Sequence, residues 1–562
     1  MMAVHDFVIV IPVADRPRQL ADCLESLREL CSRYPYEGEV TVVIVDDSGE
    51  EGSVEKNREV AGFFNRPPLP NPSPTEWGGA FHPSPLGGEG LGERGTKKTG
   101  LTSKLSVHHL DQPQQRALIA SLPDSLQTIV GDANAAAFHH KGASITRNIA
   151  YLWLKQLPPS KRERLFWFLD SDQEFRVNVE TAEGEDQPYA VDYLHDLDRI
   201  FTETPTRVLT GKVVGDPPVS PAVMAGTFLD DVLAFLAEMA ALSPSAACTF
   251  HGPARPADDA AYHDMAELFG FKPADAAYRY RCHLHGDHDH RTCFADFAGR
   301  LKRFFDGEHP TRRGYYQPDD LMAGIKPART IYTGNYVVTE AGLDLFVPFA
   351  GLKLRMAGPT LGRIVRAEIG DAFVSANLPM LHKRTVAETG QSEYRPGVER
   401  ADAGVDLSGE FERQYFGDVM LFTMEKLTGQ GFPATPPNPA RIAATVEAVE
   451  VGMRESYRTK QTRTAAKIER LAALFDAPGH WWGADEQQAE AGAAFRRFIA
   501  DMRRNFAADA PAWRLIEANR AGRLAAIRAA IAGYRTDRAA WRAALKLPSP
   551  PGGAGSENRR ET

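Results

Sequence analysis

The chain has 562 residues, 43% hydrophobic and 25% charged, close to the averages of soluble globular proteins, so it can bury a sizeable core and divide into several domains. Its net charge of −9 argues against a nucleic-acid-binding protein, since such domains are usually basic. No run approaches the roughly 18–20 apolar residues of a membrane span, and five scattered cysteines suit a reducing compartment, so a cytoplasmic protein is expected.

From the amino end, Phe7–Val13 (FVIVIPV) is an almost purely apolar run that reads as a buried strand and not as a signal peptide. Helical spacing follows through Leu20, Cys23, Leu24, Leu27 and Leu30. Glu39–Val45 is a second buried strand, ending in Asp46-Asp47-Ser48-Gly49. Apolar runs on both strands around a helix imply a parallel sheet covered on both faces.

Residues 66–100 are dense in Pro and Gly and cannot bury enough surface to offset the entropy of ordering. A disordered insertion is predicted over 64–112, of which 66–100 is expected to be dispensable. Leu126–Val130 has strand character, and Ser144–Leu157 reads as a helix opening on a serine cap. Leu165–Leu169 is another buried strand, running straight into Asp170-Ser171-Asp172.

Arg207–Val214 reads as a strand and Ala222–Ala241 as a helix, while 250–318 is a loop-rich, His-rich insertion. Thr330–Val338, Phe346–Ala350 and Ala372–Asn377 return to sheet-like patterns. Residues 401–439 read as a connecting segment, and 548–562 as a disordered tail. Between them, 440–547 is rich in Ala and Arg with long helical periodicities. These basic helices have two readings. They could lie on an anionic membrane surface, at its inner face, or pack on the preceding domain or on a second copy as a homodimer. The density of apolar positions favours packing.

The chemistry concentrates where an apolar strand empties into Asp170 and Asp172. Ligands gather beyond the carboxyl ends of strands in open α/β sheets, and a divalent cation holding a diphosphate suits two carboxylates there. Four motifs occur in order. They are Val8–Pro12 with Asp15-Arg16, Val42–Val45 with Asp46-Asp47-Ser48, Lys141-Gly142 before Arg147-Asn148, and Phe168-Leu169-Asp170-Ser171-Asp172. Together they resemble the GT-A glycosyltransferases, the family-2 members especially.

That resemblance implies an α/β fold of GT-A type, Rossmann-like, over 1–400, with a mainly helical C-terminal region. It implies transfer of a sugar from a nucleotide-diphospho-sugar to a saccharide or other hydroxyl acceptor, assisted by Mn²⁺ or Mg²⁺. Pro12, Val13, Asp15 and Arg16 would border the nucleotide. Asp46 or Asp47 would accept a hydrogen bond from base or ribose, and Arg147 would donate to base or pyrophosphate. Asp172 would be the principal metal ligand, with Asp170 touching ribose or metal through water. His382 would be the last protein ligand, and Lys383 and Arg384 would neutralise the leaving diphosphate. Tyr332–Asn335 resembles the strand that lines the acceptor side.

The sequence departs from the family at Gly358–Arg363, where inverting members usually present an acidic pair that includes the base. Asp320 is taken as a displaced base, with Asp319, Glu368 and Asp371 as alternatives; a retaining enzyme would need none there. Two rival functions are a sugar-phosphate nucleotidyltransferase, which would want a Gly-rich loop where Pro12–Arg18 has no glycine, and a non-catalytic binding protein. Removing the Asp172 charge is expected to spare the fold, or to stabilise it by relieving repulsion with Asp170.

Cys282, His283, His285, Asp287, His288, Asp289, His290 and Cys293 form a second constellation of zinc-ligand types, but their spacing matches no standard finger. A polar loop facing substrate or solvent is the favoured reading, and the loop is expected not to be essential for folding.

Overall fold

The computed structural model describes residues 4–65, 105–181, 184–217, 220–251, 280–384, 394–401 and 404–546. Residues 66–104, most of the expected insertion, and the expected tail lie outside them.

The fold is a mixed α/β structure built on a nine-stranded sheet. Its strands are β1 (His5–Val13), β2 (Val40–Asp46), β3 (Leu105–Leu110), β4 (Glu163–Leu169), β5 (Gln173–Glu174), β6 (Val208–Gly215), β7 (Asn335–Thr339) and β8 (Phe373–His382), with Lys326–Pro327 on the flank of β8. The order is β3-β2-β1-β4-β7-β6-β8-β5. β7 runs antiparallel to both β4 and β6, whereas β6 and β8 are parallel. β1, β2, β3, β4, β6 and β8 therefore all end at one edge.

Alternation explains the two covered faces. Val8, Val10, Val43, Val45, Phe166 and Phe168 enter one core, and Phe7, Ile9, Ile11, Val42, Ile44 and Trp167 enter the other. α1 (Pro17–Arg33), α2 (Glu51–Phe64) and α5 (Tyr193–Glu203) cover the second face. On the first lie α3 (Gln112–Ala120), α4 (Ala143–Leu154), α6 (Pro221–Ala240), α7 (His290–Arg300) and α8 (Ala357–Ile369).

The helices that follow, α9 (Ser408–Thr428), α10 (Pro439–Phe475), α11 (Ala489–Phe506) and α12 (Pro511–Ala544), join that same core. Trp541 packs near Tyr151 and Phe346, and Phe294 stacks on Trp482 and Phe495. Many of their arginines are paired: Arg523 with Glu412, Arg520 with Glu450, and Arg538 with Asp344 and Glu368. Among the described residues, no helix is long and apolar enough to cross a membrane.

Several expectations need correction. Leu105–Leu110 belongs to the sheet, paired with β2, although it fell inside the expected insertion; His108 and His109 blur its alternation. Leu126–Val130 is helical, with Leu126, Ile129 and Val130 buried at one-turn spacing, a pattern that a short apolar run cannot separate from a strand. Phe346–Ala350 forms no strand. Residues 401–439 are more than a connection, because α9 is buried on nearly every side.

Ser144 caps nothing. α4 begins at Ala143, and the Asp47 carboxylate, arriving from β2, accepts hydrogen bonds from the Gly142 N–H at 3.2 Å and the Thr146 hydroxyl at 3.2 Å. A negative charge at a helix N-terminus is favourable.

Candidate active site

The carboxyl ends of β1, β2, β4, β6 and β8 carry a dense set of charges. Asp172 lies at its centre, buried with a side chain 4% exposed. Its position follows from the chain reversing after β4, so that β5 pairs antiparallel with the end of β8 and Gln173 lies opposite His382. Oδ2 of Asp172 accepts from Arg16 at 2.8 Å and from Arg384 at 3.2 Å, and lies 3.5 Å from Nε2 of His382. Burial alone would raise this carboxyl; His382 in its protonated form, with Arg16 and Arg384, outweighs it and holds it well below the usual range.

The His382 ring has a defined orientation. Its Nδ1 is hydrogen-bonded to the Asp216 backbone carbonyl, and since a carbonyl only accepts, Nδ1 carries the proton. In the neutral ring Nε2 then presents its lone pair towards Asp172. Asp216 in turn accepts from the Arg384 backbone N–H at 2.9 Å and pairs with Arg313 at 3.4 Å.

Asp170 is the more open carboxylate, with a side chain 39% exposed, and it pairs with the buried Arg147. Its backbone N–H donates to Gly334 O at 3.3 Å. A Cβ on Gly334 would stand 2.6 Å from Oδ2 of Asp170 and 2.7 Å from Nε2 of Gln173, so any larger residue would displace those two side chains. Next to it, Asn335 joins three strands. It accepts from the Trp167 indole at 2.9 Å and donates to Lys212 O at 3.0 Å and Leu378 O at 2.9 Å.

Among the polar atoms around this edge that are buried without a hydrogen-bond partner are Asp172 Oδ1, Gln173 Nε2 and Oε1, and Arg147 Nε. Buried polar atoms are nearly always satisfied by protein, water or a bound group, so their gathering at one place is compatible with an ion or ligand there. An orphaned carboxylate oxygen beside an imidazole with a free lone pair fits a divalent cation such as Mn²⁺.

The other predicted residues are placed differently. Asp46 is wholly buried and accepts from the Ser48 N–H, from Asn57 and from His109 at 2.9 Å, interactions that overcome burial and lower its pKa. Asp47 holds Lys141 through a 2.7 Å ion pair besides capping α4. Asp15, at φ 55°, accepts from the Gly49 and Glu50 N–H groups and pairs with His140 at 2.6 Å. These carboxylates fasten loops to one another.

Val13 is buried at the end of β1, Pro12 is half-buried before it, and Lys383 pairs with Glu174 at 3.3 Å. The paired charges also remove the expected relief of repulsion: Asp170 and Asp172 each face arginine, so loss of the Asp172 charge would cost Arg16 and Arg384 an ion-pair partner.

None of the four carboxylates offered as a base meets Asp172. Asp320 is exposed and caps a turn through the Ala323 N–H at 3.1 Å. Its neighbour Asp319 binds Asn377 at 2.8 Å, five residues before His382 on β8, roughly 16 Å away at ~3.3 Å per residue. Glu368 pairs with Arg538, and Asp371 with Arg366. The acid-free stretch Gly358–Arg363 is a packing surface, where a Cβ on Gly358 or Gly362 would strike the carbonyls of Ile331 or Arg329 at 2.4 and 2.6 Å.

Sequence reasoning missed Glu308, which no motif marks. It is buried, with Oε1 unpartnered, and burial followed by the Asp216 charge pushes its carboxyl up to about 7.

No family model matches the chain, and no curated protein matches it. Among solved structures it is similar to the crystal structure of S. aureus TarS 1-349, at 13% identity and a TM-score of 0.26, over 94% of this chain and 91% of that one. A likeness at that score carries no argument about fold or activity.

Proposed function

We propose that the protein is a glycosyltransferase of GT-A type that binds a nucleotide-diphospho-sugar through a divalent cation at Asp172 and His382. The observation that carries this reading is the orphaned Oδ1 of Asp172, beside the His382 ring, at the carboxyl ends of parallel strands. The strand order, with one antiparallel strand between β4 and β6, also suits the GT-A type.

Mn²⁺ or Mg²⁺ bound there would act as a Lewis acid on the donor's diphosphate. The chain's own residues do the rest. Arg16 and Arg384 hold the Asp172 carboxylate ionised and bring two fixed positive charges to where the leaving diphosphate gathers negative charge. Asp170, oriented by Arg147, is the carboxylate open enough to meet a ribose hydroxyl or a metal-bound water. Gly334 keeps the space beside it clear, and the acceptor, a saccharide or other hydroxyl compound, would approach over Tyr332–Asn335.

Release of nucleoside diphosphate from a panel of donors, with Mn²⁺ and with chelator, tests the reading. Metal-dependent release from one donor supports it. Binding without release would favour the non-catalytic binding protein, and pyrophosphate-forming activity the nucleotidyltransferase.

A further inference from the structure

The chain leaves α6 at Ala240, and the residues that follow return alongside 282–290. The Cys248 N–H donates to His288 O at 2.9 Å, the Cys282 N–H to Phe250 O at 2.9 Å, and the His290 N–H to Ala246 O at 3.1 Å. This pairing brings ligand atoms of Cys248, His251, Cys282 and His288 all within 4.8 Å of one another. We propose that these four side chains form a structural zinc site, separate from the cluster around Asp172.

Two thiolates and two imidazoles from two chain segments are the donor set of a closed, four-coordinate zinc centre. With Zn–S near 2.3 Å and Zn–N near 2.0–2.1 Å, tetrahedral edges are roughly 3.3–3.8 Å, a small contraction of the cluster as it stands. One edge is already there: Cys282 Sγ lies 3.3 Å from Nε2 of His288. The His288 ring is also set for ligation. Its Nδ1 donates to Gly286 O at 2.9 Å, which leaves the lone pair on Nε2, and metal-bound histidines are oriented by such a second hydrogen bond.

Nearby candidates are excluded by their own partners. Nδ1 of His290 donates to Ser243 O at 2.8 Å, and its Nε2 accepts from the Thr249 N–H at 3.2 Å. Cys293, wholly buried on α7, is excluded by position: it lies outside the group whose ligand atoms are all within 4.8 Å of one another.

The centre would fasten the chain between α6 and α7 and so fix α7, whose Phe294 packs on Trp481, Trp482 and Phe495. The chain continues from α7 to Arg313, the partner of Asp216. The site therefore braces one wall of the charged cluster without entering it.

Elemental analysis of the full chain, purified without added metal, should find about one zinc per chain. Cobalt substitution should give the charge-transfer absorption of thiolate-bound, tetrahedral Co²⁺. Cys282→Ser and His288→Ala should each lose the zinc and lower the Tm by about 5 °C or more. Cys293→Ser and Asp172→Asn should keep it. Wild-type protein without zinc that also fails to take up Co²⁺, or a disulfide among these cysteines, would overturn the proposal even if the variants fail to fold. Zinc retained in His251→Ala but lost in Cys293→Ser would overturn the ligand set.

Discussion

At the edge of the sheet, Asp172 keeps one buried oxygen without a partner, among two guanidinium groups and the ring of His382. Beside α6, the ligand atoms of two cysteines and two histidines lie within 4.8 Å of one another, with Cys282 Sγ 3.3 Å from Nε2 of His288. In both places a histidine Nδ1 is hydrogen-bonded to a backbone carbonyl, Asp216 O in one and Gly286 O in the other, so the imidazoles are prepared alike. The difference lies in the anionic donors and in the room left over. A single hard carboxylate beside fixed positive charges suits an exchangeable ion that arrives with a diphosphate, whereas a complete soft set suits an ion that stays. Histidine orientation alone does not tell a working centre from a structural one; the company it keeps does.

The largest effect should come from Asp172→Asn. Two arginines each lose an ion-pair partner in a mostly buried site, so stability should fall by about 1–3 kcal/mol in chemical denaturation, and metal-dependent turnover by at least ~100-fold. A variant of unchanged stability would mean that the Arg16 and Arg384 pairs do not hold in solution. His382→Ala should weaken apparent Mn²⁺ affinity by ~10–100-fold, read from activity against metal concentration, and leave the zinc of the second site in place. Loss of zinc in that variant would dissolve the distinction between the two centres.

Gly334→Ala is a finer probe of the first centre alone. Its Cβ would press on Asp170 and Gln173, lowering turnover roughly 10-fold while costing about 1–2 kcal/mol of stability.

The smallest effect concerns Glu308, whose carboxyl is raised from 4.5 to about 7. The unfolded chain releases this proton from about pH 4.5 upward, the folded chain only near 7, so this group's contribution to stability falls across that window. Glu308→Gln should flatten that fall in Tm measured against pH. An unchanged slope would show that the carboxyl is not raised in solution.

The strands were legible because each central one is an apolar run, and the place of Asp170 and Asp172 beyond a strand end was legible because they follow such a run directly. His382 could be found by its place after a late strand. What could not be read was how the other charges are spent. Asp46 and Asp47 look like ligand-facing acids, yet His109, Asn57, Lys141 and Thr146, remote in sequence, take them up. Arg147 pairs with Asp170, an ion pair that its place in the sequence does not announce. Cys248 and His251 lie more than 30 residues before Cys282, so only the backbone pairing of 246–250 with 282–290 reveals them as partners. Periodicity reports which residues face a core; it does not report which charges meet across the sheet.

The most direct measurement is calorimetric titration of nucleoside diphosphates into the wild-type protein and Asp172→Asn, with Mn²⁺ and with chelator. The proposed function predicts that one diphosphate binds the wild type only when Mn²⁺ is present, and that the variant, still folded by circular dichroism, binds none. Binding that is indifferent to Mn²⁺, or that survives in Asp172→Asn, would contradict it.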